Sequence, residues 1–350
     1  HLKSSQRLLK RLKHLINFQS VWRKRQIMSK PIKVAVQNKY EFITKDGFLF
    51  KSPQSDIGHN LLKGWNDLKR VGEERGILFF TLDQIQKEEI DVAIFMDRPD
   101  VEPDLPAKVK KILMIYEPDM LIPGNWDKEY HWRFDRVLTW NDELLDNVKY
   151  FKNNFTTDFD VNNLNVTEEE FNSRKMMFLM NTVKNNPHPD CLYGHRVFAA
   201  QYFSKAALFD FDIYGRGWDI RMFPNYRGHV TNKMETMRKY KFCLAYENCR
   251  HAVGYITEKM IDCIAAGVVP VYYGAPNVHE HIPSDCYIDV RRIDDYVKIL
   301  TMMQEMPYER YAQYLEAMKN FVQSEDSKQF TNSFFVEDMI NHIQKVHNGV

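Results

Sequence analysis

The residues Thr257-Glu258-Lys259 carry the most chemistry per unit length in this 350-residue chain. Threonine is a good helix N-cap, and the next two residues put a carboxylate and an ammonium in a first turn whose backbone N–H groups carry partial positive charge. Such a helix start favours an anion such as a diphosphate above it, and Lys259 adds a full positive charge. Glu258 would repel a phosphate, so against a nucleotide its better role is accepting hydrogen bonds from ribose hydroxyls. The competing reading is an ordinary capped helix with an acidic first turn. Glu117 is a second candidate. It follows the apolar run Ile112–Tyr116 and precedes Pro118, at the carboxyl end of a strand, where clefts form and a partly desolvated carboxylate can act as a general base. Asp119 and Glu102 compete for that role, and a glutamate after a strand can equally be a solvated loop residue.

Other signals are weaker. Gly215-Arg216-Gly217 is a poor phosphate signature, but as a strand-end turn it could border a nucleotide. Two DxD strings, Asp158-Phe159-Asp160 and Asp210-Phe211-Asp212, have the form that holds a metal with a nucleotide elsewhere. The first falls in a linker-like segment and the second leads into a strand, so both read as structural and no metal site is expected. The five cysteines, Cys191, Cys243, Cys249, Cys263 and Cys286, include no CxxC pair, which argues against a disulfide framework and a structural zinc. A reducing, cytoplasmic setting is the expectation, with a luminal one the alternative. Asn154-Phe155-Thr156 and Asn165-Val166-Thr167 match the glycosylation sequon, a pattern short enough to arise by chance.

The elements that must position these residues alternate. Ile32–Val36, Ile77–Phe80, Val92–Met96, Ile112–Tyr116 and Val137–Trp140 read as short buried strands, with a helix over Leu61–Val71. Residues 152–173 are rich in Asn and Glu and poor in apolar side chains, so 161–174 is expected to link two domains. The second half repeats the alternation. Lys175–Met180, Asp210–Tyr214, Lys241–Tyr246 and Val268–Tyr273 are strands, and Pro187–Phe203 and Thr257–Ala266 are helices. Helical patterns over 293–305, 307–323 and 334–346 close the chain. The expected architecture is a parallel α/β domain at 31–160 and another at 175–350, with a cleft between them; the final helix could cross back to the first.

Composition bounds the function. With 48 Lys+Arg against 47 Asp+Glu, the chain lacks the basic excess of a nucleic-acid-binding protein. No apolar stretch approaches the roughly 18 residues of a spanning helix. The balance is uneven, however: ten basic residues lie between Lys3 and Lys33 with no acid among them. Leu8, Leu9, Leu12, Leu15 and Ile16 recur at helical spacing there, so residues 1–30 read as a basic amphipathic tether for anionic lipid or a neighbouring domain, or as a solvated tail.

The run Glu247-Asn248-Cys249, then Tyr255-Ile256-Thr257-Glu258-Lys259, then Ala266-Gly267-Val268-Val269-Pro270-Val271 and Gly274 closely resembles the signature of glycosyltransferase family 10, the α-1,3/1,4-fucosyltransferases. Ala275-Pro276-Asn277-Val278, Ile282-Pro283 and Tyr287-Ile288-Asp289 continue it, so the resemblance covers roughly 175–300. It implies a GT-B fold of two facing Rossmann-like domains, the second holding GDP-fucose and the first presenting a glycan acceptor. By resemblance Tyr255, Glu258, Lys259 and Asn248 line the donor site, Arg196 neutralises the diphosphate, and Glu117 is the catalytic base. Cys249 replaces the usual serine, which affects only contacts needing a hydroxyl. Trp126, Tyr130, His131 and Trp132 cluster near Glu117, where aromatic faces could stack on a sugar; Trp132 reads as core and Trp126 as either. The implied function is inverting transfer of L-fucose from GDP-fucose to form an α-1,3 linkage, without a metal or other cofactor. Another nucleotide sugar on the same scaffold, or a non-catalytic sugar-nucleotide or glycan-binding module, are the alternatives. Oligomeric state is left open.

Overall fold

The computed structural model describes residues 30–51, 61–207, 210–292 and 295–350; apart from Lys30, the basic amphipathic tether expected over residues 1–30 lies outside them. Six strands, β1 (Ile32–Asn38), β2 (Ile77–Thr81), β3 (Val92–Met96), β4 (Lys110–Ile115), β5 (Arg136–Thr139) and β6 (Tyr150–Lys152), form a sheet in the order β2-β1-β3-β4-β5-β6, parallel throughout. Alternate residues serve opposite faces. Val34, Val36, Val92, Ile94, Ile112 and Met114 pack in one cluster, and Ala35, Ala93, Phe95, Leu113 and Ile115 in another. Both faces are therefore buried, which is why these strands read as apolar runs and not as half-polar alternation.

The second sheet holds β7 (Lys175–Met180), β8 (Phe211–Tyr214), β9 (Tyr240–Tyr246), β10 (Val269–Tyr273) and β11 (Ile288–Asp289), ordered β11-β10-β9-β7-β8 and again parallel. Among the described residues six helices reach nine residues or more: α1 (Lys63–Glu74), α2 (Tyr193–Ala206), α3 (Glu258–Ala266), α4 (Tyr296–Gln304), α5 (Tyr308–Gln323) and α6 (Asn332–Asn348). None of the described helices is long and apolar enough to cross a membrane.

The last helix belongs to the first domain in space. Phe335, Val336, Met339, Ile340, Ile343 and Val346 form one apolar stripe that joins the core of the first sheet beside Trp65 and Leu68 of α1. A Cβ on Gly64 would stand 3.1 Å from the Phe335 ring, so glycine lets α6 close on α1. Arg75 and Glu337 seal the contact bidentately at 2.7 and 2.6 Å.

Two expectations are corrected here. Residues 161–174 are not a loose linker: Leu164, Val166 and Phe171 are buried in the core of the second domain, and Thr167 and Glu170 make a capping box on the short helix Glu168–Ser173. The three apolar side chains are few but all point into that core, and their polar neighbours Asn165 and Glu168–Glu170 stay outside. The helix expected from Pro187 starts only at Tyr193, because 190–192 are tied to 248–250. Leu192 N–H donates to Asn248 O at 2.9 Å, and Arg250 N–H to Asp190 O at 3.1 Å.

In each sheet the chain order reverses beside the first strand, at β1/β3 and at β7/β9. Such reversals leave a crevice beyond the carboxyl ends of the strands. The two crevices meet, as the bond from Asn186 Nδ2 to Met120 O at 2.8 Å records.

Candidate active site

Glu247, Asn248 and the start of α3 make one wall. Glu247 leaves the carboxyl end of β9 and is fully buried. Its carboxylate accepts the Thr257 N–H at 2.8 Å and the Thr257 hydroxyl at 2.7 Å. The start of α3 is therefore not an open anion site as expected; a side-chain carboxylate already sits there. Lys259 Nζ lies 3.5 Å from Glu247 and 3.1 Å from Glu258. Burial works to raise the Glu258 carboxyl, but the charges of Lys259 and Lys233 win and hold it at about 2. Glu258 is thus a permanent acceptor beside a cation.

Arg196 is only 3% exposed. Its Nε and Nη2 donate to Tyr246 O at 3.1 and 2.7 Å, and Nη2 also to Asn248 Oδ1 at 2.9 Å. The guanidinium packs over the Tyr193 ring, 4.9 Å from its centroid. Burial lowers its proton affinity from an ordinary value so high that it stays cationic. Asn248 Nδ2 donates to Tyr255 Oη at 2.9 Å, so Asn248 and Tyr255 act together as the mount for Arg196. Tyr255 is buried and packs at a tilt against Trp140 of the first domain, with ring centroids 4.8 Å apart. Cys249 is buried as well, and burial with the nearby Glu247 charge pushes its thiol up to about 12. All five cysteines are buried and free.

Glu117 stands on the opposite wall, one residue beyond Tyr116 at the end of β4. Burial, then the neighbouring Asp97 charge, push its carboxyl up to about 7, against the pull of Lys184 and Lys259 from the second domain. A carboxyl poised there is half ionised near neutrality, the setting a general base needs. Its rivals are otherwise engaged: Glu102 pairs with Arg133 at 3.1 Å on the surface, and Asp119 accepts from His251 across the cleft at 3.0 Å.

The remaining candidates lie outside this cluster. Gly215 ends β8 with φ 116, and a Cβ there would fall 1.9 Å from Asn181 O, so close backbone packing accounts for the glycine. Trp132, expected in the core, is 77% exposed; its turn follows the helix Lys128–His131 and Lys149 lies over its ring. Tyr130 and His131 are buried, and Trp126 packs on Trp140 at 5.1 Å. Both DxD strings are committed to the fold. Asp212 is bonded by Lys175, Arg227 and Tyr240, each at 2.6 Å, and Asp160 caps the turn at Val161–Leu164. The sequence did not single out His188, Asp190 and His251, whose possible ligand atoms come within 4.8 Å of one another; His251 is distant in sequence from the other two and meets them because 190–192 pair with 248–250. It also missed Asp97, for which the available signal was its place directly after the buried strand β3.

The family model for glycosyltransferase family 10 (fucosyltransferase), C-terminal part, matches residues 173–348, which contain every residue of the first wall. This chain belongs to that family. An α-(1,3)-fucosyltransferase FucT from Helicobacter pylori is 31% identical over 127 residues, 33% of this chain and 26% of that protein. A GDP-fucose protein O-fucosyltransferase 3 from Danio rerio is 40% identical over 82 residues, 23% of this chain and 15% of that one. The chain thus matches no more than about a quarter of these family 10 relatives' length. The similarity in fold runs further. A crystal structure of an α1,3-fucosyltransferase with GDP-fucose superposes with a TM-score of 0.54 at 17% identity, over 90% of each chain. The family's GT-B arrangement, two facing Rossmann-like domains, is the fold of this chain.

Proposed function

We propose that the protein transfers L-fucose from GDP-fucose to a hydroxyl of a glycan acceptor with inversion at the anomeric carbon. The observation that carries this reading is the pairing, across one cleft, of a family 10 donor wall bearing Arg196, Glu258 and Lys259 with a carboxyl at Glu117 tuned to about 7. In a single displacement the acceptor oxygen bonds to C1, its proton passes to Glu117, and the bond from C1 to the diphosphate breaks with its electron pair leaving on GDP. The charge growing on GDP is met by Lys259 and by Arg196, whose Nη1 is the guanidinium nitrogen not committed to Tyr246 or Asn248. Glu258 accepts from ribose hydroxyls. The charges of Lys259 and Arg196 support a reaction that needs no metal, and unchanged activity in EDTA is the expected result; activity lost to EDTA and regained with Mn²⁺ would transfer part of the role to a metal, with His188, Asp190 and His251 the first residues to test.

Thermal stabilisation by GDP and not by UDP or ADP is expected, followed by release of GDP when GDP-fucose meets a suitable acceptor. The panel should include Gal-GlcNAc, where an α-1,3 product is expected, and hydroxyl-bearing peptides, since the relatives' names cover both. Stabilisation by UDP alone would sink the fucose reading, and GDP binding without turnover on any acceptor would favour a binding module. Residues 1–30 are proposed to tether the enzyme peripherally to a cytoplasmic membrane surface; equal flotation on anionic liposomes with and without them would remove that role.

A further inference from the structure

We propose that Asp97 is a positioning residue for Glu117: it fixes the backbone that carries the base and keeps a second negative charge beside it. The inference rests on the reading of Glu117 as the base.

Asp97 follows β3 with φ 61, a left-handed conformation unusual for a residue with a side chain, and is 4% exposed. Its Oδ1 collects three donors: the N–H of Tyr116 at 2.8 Å, the N–H of Glu117 at 3.1 Å and Asn125 Nδ2 at 2.7 Å. Asn125 also donates to Glu117 O at 3.3 Å and accepts the Arg98 N–H at 2.7 Å. The end of β3 is thereby tied to the residue that presents the base. All three bonds go to a single oxygen, so the neutral amide of an asparagine would tie the strands equally well. The charge is what the fold does not require. Burying a carboxylate is costly unless a cation answers it, and Lys39, whose field reaches Asp97, is itself paired with Asp100. The negative charge instead faces Glu117, where it makes a proton harder to lose.

Tyr40 comes from the turn after β1, its own N–H held by Asn38 Oδ1 at 2.7 Å. Its hydroxyl is one of the groups facing Glu117 and is pushed up to about 12 by burial and then by the charges of Glu117 and Asp97. The other groups facing Glu117 are Lys184 after β7, Glu258 and Lys259 at the start of α3, Tyr193 at the start of α2 and Tyr255.

The test is a carbon-13 titration of glutamate side-chain carboxyls in the full chain, with the Glu117 signal assigned by its loss in Glu117→Gln. The pH profile of kcat/KM is measured in parallel. Asp97→Asn, which keeps an acceptor oxygen and tolerates the left-handed backbone, should lower the Glu117 midpoint by about half a pH unit or more. The acid limb of activity should follow this shift while the KM for GDP-fucose stays within about twofold. A purely structural role would lower activity without moving the midpoint, and an unmoved midpoint overturns the proposal. If the midpoint moves as expected but Glu117→Gln remains fully active, the reading of Glu117 as base falls and the coupling stands.

Discussion

Glu117 concentrates the residue-scale consequences. Glu117→Gln should lower kcat by about 10²–10⁴ with GDP affinity nearly unchanged, because only the proton transfer is removed. The same environment acts on stability with a defined sign. A carboxyl raised to about 7 in the fold binds its proton more tightly folded than unfolded. Its contribution is fully present below the ordinary range near 4.3, is lost as pH rises toward 7, and is absent above. Glu117→Gln should therefore melt about 2–4 °C higher than the parent at pH 8 and show no gain at pH 4, as function and stability compete at one site. Equal melting at pH 8 would mean the carboxyl is not strained. On the other wall, Lys259→Ala and Arg196→Ala should each weaken GDP by about tenfold or more, the loss of one charge-assisted contact, measured by calorimetry. Unaltered affinity in both would remove them from the donor site.

At the scale of elements, the start of α3 depends on a residue from a neighbouring strand. Glu247 satisfies both the N–H and the hydroxyl of Thr257, and Thr257 in turn caps the helix through Lys259 N–H at 3.3 Å. Glu247→Ala should cost about 1–3 kcal/mol for each buried group left without a partner, seen as a lower denaturation midpoint in urea. It should also weaken GDP, since Lys259 loses the anion that holds it. A midpoint equal to the parent's would show that water or Glu258 substitutes. This arrangement was only half legible beforehand. Thr257 announced the cap and Gly267 the end of the helix, both local signals, whereas the occupant of the helix start arrives from ten residues earlier through the loop 248–256.

On the scale of the molecule, the domains are joined by a polar seam with aromatic packing behind it. Asp142 of the first domain accepts from His281 at 2.7 Å and Asn277 at 2.8 Å of the second, and from Lys152 at 2.6 Å. Burial alone would raise this carboxyl, but His281, Lys152 and Asn277 hold it well below the usual range. A depressed carboxyl contributes its stability above its unfolded value, near 3.9, and loses it as pH falls further. The seam should thus be intact at neutral pH and loosen only in acid. Asp142→Asn should speed amide exchange at Gly254, whose N–H is held by Asn277 Oδ1 at 2.8 Å, and at Tyr255 above it. Unchanged exchange would show that the Trp140–Tyr255 packing suffices.

The sequence by itself determined nine of the eleven strands among the described residues, because parallel strands buried on both faces must be continuous apolar runs, and missed the short edge strands β6 and β11; it determined the family motif, because Tyr240–Gly274 is one contiguous strand, loop, helix and strand. It placed Glu117 at a strand end for the same local reason. What only the tertiary structure decided were encounters between segments far apart in sequence. Asp97 meets Glu117 across 20 residues. Leu164, Val166 and Phe171 turn a polar stretch into part of a core, while Trp132 is left outside. Helix periodicity shows that α6 has an apolar face but not which sheet it covers; that choice follows from the route of the chain and the space Gly64 leaves for Phe335.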